Sequence, residues 1–232
     1  MFLWNFNRIS YISDLHLMHR IKNAGCKSKE DVVFTIKKII DDILAESTSL
    51  TLIGGDVSSE FSIFELFVKM LRKLAGSGRR TFVFVLGNHE LWNFPGLSVD
   101  EIVDKYRTVL KENGMYLLHN DLFYRNESDD MGIIPYDELI QSDNPAILEK
   151  LRCTRLVILG GLGFSGYNEE FNANDGVYRA TVDRNTEIQE SKKFEQLYDK
   201  LTDVLAKKNT VIFTHTPKKD WCVDAKCHDN FV

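Results

Sequence analysis

An α/β fold with a largely parallel or mixed central sheet is predicted by three features of the sequence. Short runs rich in Val, Ile, Leu and Phe recur along the chain. They lack polar alternation, which marks strands covered on both faces. The segments between them place apolar residues at the i, i+3, i+4, i+7 spacing of one helical face, and strands alternating with helices imply a layered architecture. A single domain spanning residues 1–232 is expected, since α/β domains often reach ~250 residues.

The first apolar run covers residues 8–13. A helix is expected over 31–45, where Val32, Ile36, Ile39, Ile40 and Ile43 share a face. The strand 50–53 follows, then a helix striped by Phe64, Phe67, Met70, Leu71 and Leu74, then the strand 81–86. Ser98 and Glu101 have the spacing of a capping box, and Gly114 suits the left-handed residue that closes a helix, so a third helix is predicted between them. Residues 115–118 and 122–125 read as a hairpin turning at His119-Asn120-Asp121. Strands at 156–159 and 210–213 flank a helix at about 191–207, and the polar stretch 164–187 reads as a long surface loop.

Hydrophobic residues at 44% and charged residues at 27% exclude a disordered or fibrous chain. A net charge of −5 provides no general attraction to a phosphate backbone or an anionic membrane, so neither nucleic acid nor membrane is an expected partner. The longest nearly unbroken apolar stretch, 156–164, falls well short of the ~20 residues that cross a bilayer. Residues 1–6 are apolar but lack the basic segment and cleavage site of a signal peptide. Cys26, Cys153, Cys222 and Cys227 show no disulfide-framework spacing, which suits reduced thiols and a cytoplasmic location.

In such sheets ligands bind beyond the carboxyl ends of the strands. There the sequence places Ser13-Asp14-Leu15-His16, Gly54-Gly55-Asp56, Gly87-Asn88-His89-Glu90 and Thr214-His215-Thr216. Two residues apart, Asp14 and His16 point the same way on an extended backbone. Carboxylates, imidazoles and an amide oxygen form a mixed donor set suited to Mn, Fe or Zn.

The ordered set Asp14-x-His16, Gly55-Asp56, Gly87-Asn88-His89-Glu90 and His215, each after a strand, resembles the calcineurin-like metallophosphoesterases over residues 8–217. The resemblance implies a layered αββα sandwich and hydrolysis of a small phosphate mono- or diester by a metal-bound hydroxide between two divalent cations. Asp14 and His16 would hold one cation, Asp56 would bridge, and Asn88 and His215 would hold the second. His89 would act catalytically on the phosphoryl group, with Asn88 also facing substrate. Two such cations lower the pKa of a bound water toward ~7 and clamp the phosphoryl oxygens.

The sequence departs from the family at its end. A Gly-His-x-His segment normally follows the histidine matched by His215, and the 17 residues after His215 hold only His228. The chain therefore reads as truncated before that segment, C-terminally incomplete, with two cations in an intact site and one or none here. The alternative is a non-catalytic metal- or phosphate-binding remnant of the fold.

Other motifs draw blander expectations. Glu90 and His119 read as structural, and His19 as solvent-facing. Gly161-x-Gly163-x-x-Gly166 imitates a dinucleotide fingerprint but leads into no helical pattern, so its glycines are expected in a loop beside the metal edge. Arg179 in that loop is a candidate phosphate contact. Cys222, Cys227 and His228 lack the ligand count of a zinc knot and read as free groups.

Overall fold

The computed structural model describes residues 8–76, 80–164 and 184–218. The chain forms two compact units, Met1–Phe84 with Asn88–Leu117, and Val85–Gly87 with Leu118–Val232. The expected α/β architecture is present, its strands divided between one parallel sheet and one mixed sheet.

In the first unit the order is β1 (Ile9–Ile12), α1 (Leu17–Asn23), α2 (Lys29–Glu46), β2 (Leu50–Ile53), α3 (Phe61–Ala75), β3 (Thr81–Phe84), a 3-10 turn (His89–Leu91), α4 (Val99–Glu112) and β4 (Tyr116–Leu117). The four strands pair in sequence order, all parallel, with Ile12 beside Ile53 and Ile53 beside Phe84. Every residue of β2 and β3 is buried, as their continuous apolar runs require.

Capping boxes set the starts of α2 and α4. Ser28 and Asp31 form a reciprocal box at the head of α2, and Ser98 and Glu101 form the predicted one at the head of α4. Gly114 closes α4 with φ 62, a left-handed conformation that costs a residue with a Cβ far more. The core of this unit includes Ile36, Ile40, Phe64, Phe67, Phe82, Phe84 and Tyr106. Tyr106 meets Phe64 edge-to-face at 4.7 Å and donates its hydroxyl to Glu90 O at 3.0 Å, tying α4 to the turn beyond β3.

The second unit contains β5 (Asp121–Asn126), β6 (Met131–Ile134), α5 (Tyr136–Gln141), α6 (Asn144–Lys150), β7 (Thr154–Gly163), α7 (Arg184–Leu205) and β8 (Thr210–Thr216). Its sheet runs β6-β5-β7-β8, antiparallel except for the parallel β7–β8 pair. Phe194, Leu197, Leu201 and Val204 of α7 join Leu122, Val157 and Leu159 in one core cluster.

Three sequence expectations are corrected here. The hairpin around 119–121 does not form: β4 pairs with β3 in the first sheet, while β5 pairs with β6 and β7 in the second. Asn120 takes a left-handed φ of 62, and the Asp121 carboxylate accepts from His119 N and Tyr136 N, so this turn redirects the chain instead of pairing its arms. The expected loop 164–187 gives way to helix at Arg184. Gly161 and Gly163 lie inside β7, where a Cβ on Gly161 would stand 2.7 Å from Asn120 Oδ1 and 2.9 Å from Phe194. Gly166, Arg179, Cys222, Cys227 and His228 lie outside the described residues.

Candidate metal centre

In the first unit Asp14, Asp56 and Asn88 follow the carboxyl ends of three adjacent parallel strands. The first two loops stay zipped past the sheet. Gly54 N donates to Ile12 O at 2.8 Å, Asp14 N to Gly55 O at 3.1 Å, His16 N to Asp56 O at 2.8 Å and Leu17 N to Val57 O at 2.9 Å. These bonds hold unusual backbone. Of the five non-glycine residues with positive φ among the described residues, three are expected ligands: Asp14 (φ 55), His16 (φ 43) and Asp56 (φ 53). Such conformations cost on the order of 1 kcal/mol or more each and cluster where function over-determines them.

The donor atoms converge. One ligand atom from each of His16, Asp56 and His89 lies within 4.8 Å of the other two. Asp56 Oδ2 stands 3.5 Å from His89 Nε2 and 3.8 Å from His16 Nε2, and His16 Nε2 stands 3.7 Å from Asp14 Oδ1. Asp56 Oδ1 accepts from His89 N at 3.0 Å, which fixes the carboxylate plane. Burial pushes the Asp56 carboxyl up to about 7 and the negative charge of Asp14 adds to this, while the His89 N–H pulls the other way. A buried carboxylate that resists ionisation beside two imidazoles is a group in want of a cation.

Glu90 supplies the floor. It is fully buried, and its two oxygens accept separately from Asp56 N and Ser58 N, both at 2.9 Å. One N–H on each oxygen suits a carboxylate, and the effect is to clamp the loop that carries Asp56. The structural role expected for Glu90 is therefore observed, as a backbone clamp.

Asn88 is buried and heads the 3-10 turn that carries His89. The His89 ring packs on Trp92 with centroids 3.6 Å apart and meets His16 edge-on at 4.6 Å. His215 is half-buried on β8 of the second unit. His119 is buried, its Nε2 3.2 Å from Glu190 Oε2 within that same unit, as a structural role requires.

Sequence reasoning missed what surrounds the first-unit ligands. A pocket of about 380 Å³ is lined by His16 and His89 together with Met18, His19, Lys22, Ser59 and Trp92. His19 is exposed as expected, yet it belongs to this wall. The signal was faint because α1 has no capping side chain, its N-cap being His16 itself.

The donor chemistry fits a divalent cation of the borderline class: carboxylate and imidazole donors on pre-set backbone, with no thiolate among them. Among the described residues no helix is long and apolar enough to cross a membrane. The family model for calcineurin-like phosphoesterases matches residues 8–231. No curated protein matches the sequence. The crystal structure of a phosphopantetheinyl hydrolase from Mycobacterium tuberculosis is similar, with a TM-score of 0.51 and 16% identity over 95% of this chain and 72% of that one. At that identity the likeness speaks for the fold.

Proposed function

We propose that this chain, which belongs to the calcineurin-like phosphoesterase family, hydrolyses a small phosphate mono- or diester at a site for two divalent cations, Mn, Fe or Zn. Asp14, His16 and Asp56 would hold one cation, and Asp56, Asn88 and His215 the other. The observation that carries the reading is the convergence of His16, Asp56 and His89 beyond the carboxyl ends of parallel strands, the first two on left-handed, hydrogen-bonded backbone and the third on a 3-10 turn.

Bound cations supply Lewis acidity, lowering the pKa of water toward ~7 and drawing charge from the phosphoryl oxygens. The protein's own groups do the rest. Glu90 and the zipped loops keep the carboxylates in place, so little reorganisation is needed on binding. His89, held by its backbone bond to Asp56 and by the Trp92 ring, presents an imidazole that stabilises the phosphoryl group and delivers a proton to the leaving oxygen. Free thiols at Cys26 and Cys153 accord with a cytoplasmic location.

The test is manganese-supported turnover of an aryl phosphate, compared with Asp56→Asn. A rate in the unsubstituted protein no higher than in the variant would reject the enzyme reading. It would favour the second one, a non-catalytic metal- or phosphate-binding member of the fold.

A further inference from the structure

The pocket beside the first-unit ligands is larger than phosphate alone requires. Its volume of about 380 Å³ falls in the range that holds small organic ligands, roughly 300–1,000 Å³. One wall comes from α1. Leu17 is buried and anchors the helix, while Met18, His19 and Lys22 all line the pocket. Met18 and Lys22 are four apart and His19 and Lys22 three apart, so they share one side of the helix. Trp92 adds an aromatic surface.

The chemistry of this lining has a sign. None of the lining residues is acidic, although the chain as a whole carries a net charge of −5. Lys22 is exposed, and among the described residues its ammonium makes no ion pair or hydrogen bond. Arg20, its neighbour on the helix, is instead committed to Leu15 O at 2.7 Å. An exposed lysine with no side-chain partner among the described residues, sharing the lining with Met18 and Trp92, matches a ligand with an apolar body and a negative group.

We infer that this pocket seats the leaving group of the substrate, and that Lys22 selects esters whose apolar leaving group bears a second anionic group, a carboxylate or a phosphate. The inference rests on the phosphoesterase reading, and it names the substrate class of that site. No bond is made or broken at Lys22, which acts as a specificity determinant.

Binding to the manganese-loaded full chain tests it by calorimetry. The probes are phenylphosphonates carrying at the para position a carboxylate, a neutral carboxamide or a second phosphonate. The charged probes should bind the unsubstituted protein roughly 2- to 5-fold more tightly than the carboxamide, as expected for an exposed charge pair. Lys22→Gln should bring that ratio near one, and Lys22→Arg should keep most of it. The tighter of the two charged probes identifies the second group as carboxylate or phosphate. A ratio near one in the unsubstituted protein, an unchanged ratio in Lys22→Gln, or failure of all three probes to bind overturns the inference. Because the readout is binding, a protein that keeps the ratio but turns over no ester defeats the phosphoesterase reading and the leaving-group role with it, while the anion preference of Lys22 stands; loss of the ratio in a protein that does turn over an ester defeats the Lys22 assignment alone.

Discussion

Replacing Glu90 with Gln changes one atom and no volume, so it isolates the clamp beneath Asp56. The two carboxylate oxygens now accept from Asp56 N and Ser58 N, both at 2.9 Å, in a site closed to water. Glutamine offers one oxygen and one NH₂. One backbone N–H keeps a neutral acceptor, and the other faces a second donor and is left buried without a partner. Losing a hydrogen bond to a charged group costs about 1.5–3 kcal/mol and weakening the other adds about 1, while relief of the buried charge returns part of it, so the net is roughly 2–4 kcal/mol. For a chain of this length each kcal/mol moves the Tm by about 2–4 °C, so the chelated protein should melt roughly 5–15 °C lower. Thermal unfolding in chelator is the assay, because a bound cation would mask part of the loss by mass action. Glu112→Gln, on the exposed end of α4, is the control and should shift the Tm little. A Glu90→Gln shift under about 2 °C would refute the clamp.

Four further outcomes follow from the structure. With its carboxyl pushed up to about 7, Asp56 should release a proton when a cation binds, so manganese affinity should rise about tenfold per pH unit below 7 and level off above it; calorimetry in buffers of different ionisation enthalpy checks both. The folded pKa lies above the unfolded value of 3.8, so this group favours folding at low pH and loses that contribution as pH rises through 7, about 3 kcal/mol between pH 5 and 8 in chelator. Asp56→Asn removes that buried charge while keeping an acceptor for His89 N; its Tm at pH 8 in chelator should rise, and the manganese-induced increase should vanish. Gly163→Ala forces a Cβ to within 2.2 Å of Thr216 O at φ 106 and should cost roughly 3 kcal/mol in urea unfolding, against about 1 kcal/mol for Gly25→Ala, where nothing lies within 4 Å of the new atom.

How much of this was legible in the sequence depends on the range of the interaction concerned. Ser98 and Glu101 bond to each other's backbone across three residues, so α4 was readable to its first turn. The strand-end motifs were readable because each proposed ligand lies within a few residues of a strand whose apolar run is continuous. Strand partnership is different. A continuous apolar run reads the same in either sheet, and nothing local in 115–125 says that β4 pairs with Val83 and Phe84 while β5 pairs with β7. The false hairpin came from turn-forming residues whose actual work is a left-handed Asn120 and an Asp121 carboxylate bonded to backbone on both sides. α1 escaped notice because its seven residues are held by the burial of Leu17 and by Arg20 reaching back to Leu15 O. Neither leaves a periodic trace.

The strained positions connect what was legible to what was not. Asp14, His16 and Asp56 look like ordinary strand-end residues in sequence, and Asp favours turns for backbone reasons alone. A turn preference does not explain why a histidine joins them at φ 43, or why all three are pinned by bonds between the β1 and β2 loops. Part of that cost is offset at Asp56 by Glu90, fully buried and accepting from the backbone of its loop. The clamp fixes where the Asp56 backbone stands, the His89 N–H fixes how its carboxylate is turned, and the imidazoles of His16 and His89 then face one oxygen from two sides. The positions of these proposed ligands are thus set by the fold before any cation arrives. Binding has only to displace a proton from Asp56, which makes the pH dependence of manganese affinity the most direct measure of whether this arrangement is a metal centre.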